Sequence, residues 1–169
     1  MKIDRVIVGS YLTNCYILSK DNKCLIIDPG DDYLKIKKAI GKNDVVGIII
    51  THHHFDHTGA LVYFNNINVY DYTNLKEGMN NINNFYFEVI YTKGHTDDSI
   101  CIYFKDYNVM FVGDFIFKNG IGRTDLGGNI EDMQQSLIKI SAYAYNKNIM
   151  IYPGHGDLSL LSDELKKLL

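Results

Sequence analysis

All six histidines of this chain fall in three short motifs, and each motif lies just beyond a stretch that reads as a β-strand. His52, His53, His54 and His57 sit in Thr51-His52-His53-His54-Phe55-Asp56-His57, directly after the apolar run Val45–Ile50. His95 sits in Gly94-His95-Thr96, beyond Phe85–Ile90, and His155 in Gly154-His155-Gly156, beyond Ile149–Tyr152. Two aspartates join them: Asp56 inside the first motif, and Asp114 in Val112-Gly113-Asp114 after the run Asn108–Val112. Imidazole is the commonest protein ligand for transition metals. This pattern restricts the fold, because the ends of several strands must converge at one sheet edge for the motifs to meet. Loops carried there on a rigid scaffold are where sites are built. The set points to a centre with two metal ions that activates water.

The remaining segments fit such a scaffold. Lys2–Val8, Asn14–Leu18 and Lys23–Ile27 are short, β-rich and separated by turn residues, and Asp28-Pro29-Gly30 closes the third. Asp31 or Asp32 is placed to cap a helix running to Ile40. The continuous apolar run Val45–Ile50 suits a buried strand. Gly59–Phe64 reads as a short helix with Thr58 as its cap, and Asn68–Tyr70 as a strand. The Asn-rich stretch Asn80–Asn84 reads as a loop. Ile100–Phe104 and Asn108–Val112 form a hairpin around Lys105-Asp106-Tyr107. Ile130–Tyr145 is the longest helical segment, with Met133, Leu137, Ile138, Ile140 and Ala144 on or near one face, and Leu160–Leu169 reads as a terminal helix.

At 169 residues, with 46% hydrophobic composition, the chain is expected to form one domain over residues 1–169 with a substantial core. A net charge of -3 supplies no basic footprint for nucleic acid. No stretch is apolar for long enough to span a bilayer, and the first residues lack the pattern of a secretory signal. Cys15, Cys24 and Cys101 are odd in number, contain no Cys-x-x-Cys pair and each lie in an apolar run. They are expected to be buried, reduced side chains in a cytoplasmic protein.

The donor types decide the chemistry expected. Neutral imidazole and carboxylate suit zinc and also accept iron or manganese, while the absence of thiolate argues against a closed structural zinc site. On an extended or tightly turned loop, His52 and His54 project to one side, and Asp56 and His57 reach a second position nearby. Asp114 can bridge two cations through its two oxygens. His53 is expected to point away from its neighbours, as a solvent-facing or supporting residue.

In these motifs the chain resembles the metallo-β-lactamase superfamily, and within it the glyoxalase II-like (hydroxyacylglutathione hydrolase-like) hydrolases. The resemblance runs through Thr13-Asn14-Cys15-Tyr16, Ile27-Asp28-Pro29-Gly30, Thr51–Gly59, Gly94-His95-Thr96, Gly113-Asp114 and Pro153-Gly154-His155-Gly156. Gly113–Phe117 followed by Ile121-Gly122-Arg123-Thr124-Asp125 narrows it to the small bacterial-type members. It implies an α/β (α+β) four-layer αββα sandwich, the metallo-β-lactamase fold, with the site at the upper edge of the two sheets. It further implies that His52, His54 and His95 hold one metal, Asp56, His57 and His155 a second, and that Asp114 bridges them. Two departures stand out. Asp97-Asp98 replaces the Pro-Gly usual after Gly-His-Thr, and the helical domain that helps full-length glyoxalase II hold glutathione is not represented.

The function expected on these grounds is hydrolysis of a small-molecule thioester by a hydroxide held between two divalent ions, zinc first, with Asp56 and Asp114 as the catalytic carboxylates. A leaving thiol has a pKa of about 8.5 and departs without a strong general acid. Arg123 is a candidate partner for a substrate carboxylate, with an ion pair to Asp125 as its alternative reading. Lys118 is a second substrate candidate. The alternatives are a mononuclear iron enzyme of the persulfide dioxygenase type, a phosphodiesterase, and a metal-binding module without catalysis.

Overall fold

Period-two burial along the strands sorts their side chains into separate layers of core. The structure is a computed structural model that describes residues 1–146 and 148–168. Its first sheet contains β1 (Lys2–Val8), β2 (Thr13–Lys20), β3 (Lys23–Ile27), β4 (Asp44–Ile49) and β5 (Val69–Tyr70), in that order. Helix α1 (Tyr33–Ile40) joins β3 to β4, and α2 (Phe55–Thr58), continued by a 3-10 turn over Gly59–Tyr63, lies between β4 and β5. The second sheet contains β6 (Gly78–Ile82), β7 (Phe85–Tyr91), β8 (Ile100–Phe104) and β9 (Val109–Gly113). A two-stranded ribbon follows, β10 (Ile116–Phe117) with β11 (Gly120–Ile121), then helix α3 (Ile130–Ser141). Strands β12 (Met150–Pro153) and β13 (Ser159–Leu160) complete the second sheet, whose order is β13-β12-β9-β8-β7-β6, and α4 (Leu161–Leu168) ends the described chain.

Tyr16, Leu18, Leu25, Ile27 and Ile49 face Phe87, Val89, Ile100, Ile102, Phe104 and Phe111 between the two sheets. The alternate residues Cys15, Ile17, Cys24, Ile26 and Ile48 face outward onto Ile36 and Ile40 of α1. On the far side, Ile90, Cys101, Tyr103, Met110 and Val112 meet Met133, Leu137 and Ile140 of α3 and Leu161 and Leu165 of α4. The architecture is the four-layer αββα sandwich. All three cysteines are buried and free. Burial pushes the Cys24 thiol up to about 11 and the Cys101 thiol up to about 12. Among the described residues no helix is long and apolar enough to cross a membrane.

Several boundaries differ from the sequence reading, each for a tertiary reason. Asp32 stands at the N-terminus of α1 in a left-handed conformation (φ 48) and makes no cap to its own helix. Its carboxylate instead accepts from Gly9 N at 3.0 Å, which ties α1 to the β1–β2 turn. Thr58 likewise makes no side-chain cap. Within Asn80–Asn84, the first three residues belong to β6, which pairs antiparallel with β7, and only Asn83 and Asn84 form the turn, both with positive φ. Helix α3 stops at Ser141 because Ala142, Tyr143 and Ala144 bond to Lys139, Ile140 and Ser141, tightening the chain into three-residue turns. Of the predicted terminal helix, Leu169 lies outside the described residues.

Strands β3 and β4 are parallel, as are β9 and β12, so their C-terminal ends share one edge of the sandwich. Two backbone hydrogen bonds fasten the sheets together there, Ile100 N to Thr51 O (2.9 Å) and Asn14 N to Gly154 O (2.7 Å), while Gly154 N to Gly113 O (2.7 Å) extends the β9–β12 pairing within the second sheet.

Candidate metal centre

The loops leaving that edge bring His52, His54, Asp56, His57, His95, Asp114 and His155 together. Ligand-type atoms of His52, His54 and His95 lie within 4.8 Å of one another. So do those of Asp56, His57 and His155, and those of His52, His57 and Asp114. His54 Nδ1 stands 3.1 Å from His52 Nε2 and 3.0 Å from His95 Nε2. Asp114 lies 3.4 Å from both His57 Nε2 and His155 Nε2 and 3.6 Å from His95 Nε2. Asp56 Oδ2 is 3.2 Å from His155 Nε2 and 3.6 Å from His57 Nε2, and accepts from Thr13 Oγ1 at 2.8 Å. The chain turns closely to achieve this: a Cβ on Gly154 would overlap Asp114 Oδ1 and His57 Cε1.

The outward nitrogen of each clustered histidine has an acceptor. His57 Nδ1 donates to Asp28 Oδ2 (2.9 Å), and His155 Nδ1 to Tyr11 O (3.1 Å). His54 Nε2 donates to Leu126 O (2.9 Å), and His95 Nδ1 to Arg123 O (2.6 Å). His52 Nδ1 donates to Thr51 Oγ1 at 3.2 Å, since that hydroxyl already donates to Asp28 Oδ2 at 2.6 Å. These acceptors orient the rings and turn five ring nitrogens toward one volume. Ring nitrogens that face one another repel whether bare or protonated, and a cation shared among their lone pairs removes that repulsion. Two buried atoms at the same place, His57 Nε2 and Asp114 Oδ1, have no hydrogen-bond partner. Buried polar atoms are ordinarily paired, so the donor set fits divalent cations.

The electrostatics agree. Burial holds His52 well below the ordinary histidine value and also lowers His95. Burial acts the same way on His57, but Asp28 and Asp114 outweigh it and raise that ring to about 10. Asp114 raises His155 against burial in the same manner. Burial opposes the charge on Asp114, yet His155, His57 and His52 hold its carboxyl far below the usual range. The pocket is thus electronegative on the Asp114 side and demands positive charge.

The residue that the sequence reading passed over is Asp28. It is buried, accepts from Thr51 N (2.8 Å) and Thr51 Oγ1 as well as His57, and so orients two of the clustered rings. The available signal was its position directly after β3, the same placement that marks Asp114 after β9. His53 lies outside the cluster, half-exposed, between Asp98 (Nδ1–Oδ2 2.5 Å) and Asp71 (Nε2–Oδ2 3.3 Å). Burial opposes the charge on Asp98, but hydrogen bonds from Thr96 and His53 keep its carboxyl below the usual range. The departure Asp97-Asp98 therefore supplies a clamp between the first and second histidine loops.

A cavity of about 800 Å³ opens over the cluster, reaching His54, Asp56, His95, Asp114 and His155. Arg123 lines it, with Nε and Nη2 bound to Asp125 at 2.9 and 2.7 Å. Lys118 does not line it, and its Nζ lies 3.6 Å from Asp157.

The sequence model of the metallo-beta-lactamase superfamily matches residues 8–72 and 84–155. The chain belongs to that superfamily. Among relatives, the probable metallo-hydrolase YqgX of Bacillus subtilis is 33% identical over 92% of this chain and 90% of its own length. The hydroxyacylglutathione hydrolase of Francisella tularensis subsp. novicida is 31% identical over 97% of this chain and 74% of its own. Among solved structures, the BLEG-1 B3 metallo-beta-lactamase superposes with a TM-score of 0.91 at 27% identity, covering 98% of this chain and 97% of that one. TTHA1623 in a di-iron-bound form superposes with a TM-score of 0.86 at 25% identity, covering 97% and 98%. This superfamily member is a metallo-hydrolase by kinship, with histidine and aspartate clusters suited to metal at its sheet edge.

Proposed function

We propose that this chain is a binuclear metal-dependent thioesterase acting on small molecules. The observation that carries the reading is the set of five histidines whose outward nitrogens are each held by an acceptor, leaving their inner nitrogens free beside Asp56 and Asp114. We assign His52, His54 and His95 to one cation, Asp56, His57 and His155 to a second, and Asp114 to both. Bound there, two divalent cations would lower the pKa of water toward 7 and polarise a carbonyl. Zinc suits this donor set, as do iron and manganese.

The protein's own groups do the rest. Asp28 and the carbonyls of Tyr11, Arg123 and Leu126 hold the rings in one orientation, so no reorganisation is needed as charge develops. Asp56 reaches the cavity with its carboxylate steadied by Thr13, placed to orient water and accept a proton. Departure of a thiolate asks for no strong acid. His53, the one histidine outside the cluster, stands between Asp98 and Asp71 and does not line the cavity. The likeness to a hydroxyacylglutathione hydrolase supports this reaction type. A reducing cytoplasm suits three buried free thiols.

The test is metal analysis with turnover of an acyl-thioester panel, contrasted with a β-lactam and with oxygen uptake on a persulfide. Two metals per chain and thioester cleavage are expected. Undiminished cleavage by a His54→Ala, Asp114→Ala double variant would overturn the reading.

A further inference from the structure

The walls of the cavity carry information about the substrate that the metal cluster does not. Tyr11 and Phe55 stand at one side with their rings edge to face, centroids 5.1 Å apart. They are 60% and 65% exposed, and Leu126 on another part of the lining is 47% exposed, so one cavity gathers several open apolar surfaces. Phe117 adds a fourth apolar surface, its ring 6.2 Å from that of His155. Two of these residues are keyed to the cluster through their own backbones: Tyr11 O holds His155 and Leu126 O holds His54. The apolar walls therefore flank the two proposed cation positions rather than sitting at random on the rim.

Charge points the same way. Outside the metal cluster, the side chains lining the cavity among the described residues that carry charge near neutral pH are Arg123 and Asp125. They satisfy each other with two parallel hydrogen bonds, so the wall has no net charge and its guanidinium is already engaged. A thiol bearing carboxylates, as glutathione does, would meet there only a guanidinium whose charge Asp125 already balances.

Resting on the thioesterase reading, we propose that the substrate is an uncharged thioester bearing an aryl or alkyl group, which packs between the Tyr11–Phe55 pair and Leu126. Tyr11 and Phe55 are its specificity-determining residues.

The experiment uses the metal-loaded chain and four thioesters: acetyl and phenylacetyl groups, each on N-acetylcysteamine and on glutathione. The phenylacetyl ester of N-acetylcysteamine is expected to exceed both glutathione esters in kcat/KM by about ten-fold or more. In a Tyr11→Ala, Phe55→Ala variant the phenylacetyl-over-acetyl preference should fall by a similar factor. Both rings are exposed and the link from Tyr11 to His155 runs through a carbonyl that alanine retains, so the variant keeps its core. Calorimetry with two uncleavable thioethers, S-benzyl-N-acetylcysteamine and S-benzylglutathione, gives an independent readout, with tighter binding of the uncharged one expected. Preference for the glutathione esters, or an unchanged acyl preference in the double variant, overturns this inference and leaves the thioesterase reading standing. Cleavage of none of the four overturns the thioesterase reading, and the calorimetric ranking then still decides whether the cavity favours uncharged apolar ligands.

Discussion

Asp28 shows how much of this centre depends on residues that touch no substrate. One buried carboxylate serves Thr51 and His57, which lie 23 and 29 positions further along the chain. Replacing it by asparagine keeps the shape but removes one acceptor oxygen. Residues that orient a metal-ligating histidine typically govern metal affinity by about 10–100-fold. The Asp28→Asn variant should therefore lose affinity by roughly that factor at the His57 side, read by competition with a chromophoric chelator. Retention of full affinity would refute the role. Gly154 makes a second case. Alanine there would push a methyl into Asp114 and His57. Destabilisation of about 1–3 kcal/mol in urea melts is expected, together with reduced metal content. The histidines were legible in the sequence because ligand chemistry is written in side-chain type and spacing. Asp28 was not, because Asp-Pro-Gly after a strand reads as a turn and its partners are remote.

Among the elements, the loops around the site are fastened by pairs of charged or polar side chains. The His53 clamp joins the Thr51–His57 loop to the His95 loop through Asp98 and reaches Asp71 beyond β5. Asp98→Ala should raise the hydrogen-exchange rates of amides in both loops while leaving those of β8 and β9 protected, and uniform exchange in wild type and variant would exclude the clamp. Glu164 of α4 plays a comparable part for the β10–β11 ribbon. It is buried and accepts from Asn119 N, Ser159 Oγ and Lys167 Nζ. Burial opposes its charge, but Ser159, Asn119 and Lys167 outweigh that and hold its pKa below the usual value. A carboxyl depressed on folding stabilises fully above its unfolded value, about 4.3, and that contribution is lost as pH falls through the folded value. At pH 7 the Glu164→Gln variant should be less stable by about 1–2 kcal/mol, and the gap should narrow below roughly pH 4. Urea midpoints at neutral and acid pH check this, and a constant gap would contradict it. Strand β6 was hidden for the opposite reason. Its asparagines favour turns locally, but pairing with β7 and burial of Ile82 override that preference.

For the whole molecule, the cluster is a joint between the two sheets. His52, His54, Asp56 and His57 leave the end of β4, while His95, Asp114 and His155 follow strands of the other sheet. Cations bound by both sets would cross-link the sandwich and pair His57 Nε2 and Asp114 Oδ1, which are buried without hydrogen bonds. A ligand at a hundred times its Kd stabilises by about 2.7 kcal/mol. For a chain of this size that corresponds to roughly 5–10 °C in Tm. Stripping metal with a chelator should lower Tm by that order, and restoring zinc should recover it. A Tm indifferent to chelation would argue against metal bridging the sheets.

The residues themselves determined which side chains could gather and where each must stand, because donor type, spacing and strand-end position are properties of the chain read in order. The αββα layering was an implication of the family resemblance those motifs carry, and the structure shows its physical basis in alternate strand residues that face different layers of core. The tertiary structure decided the ring orientations and the walls. The acceptors that turn His54, His95 and His155 inward are backbone carbonyls of Leu126, Arg123 and Tyr11. Every residue owns such a carbonyl, so no residue type announces it, and only the packing of two sheets brings these particular ones within reach.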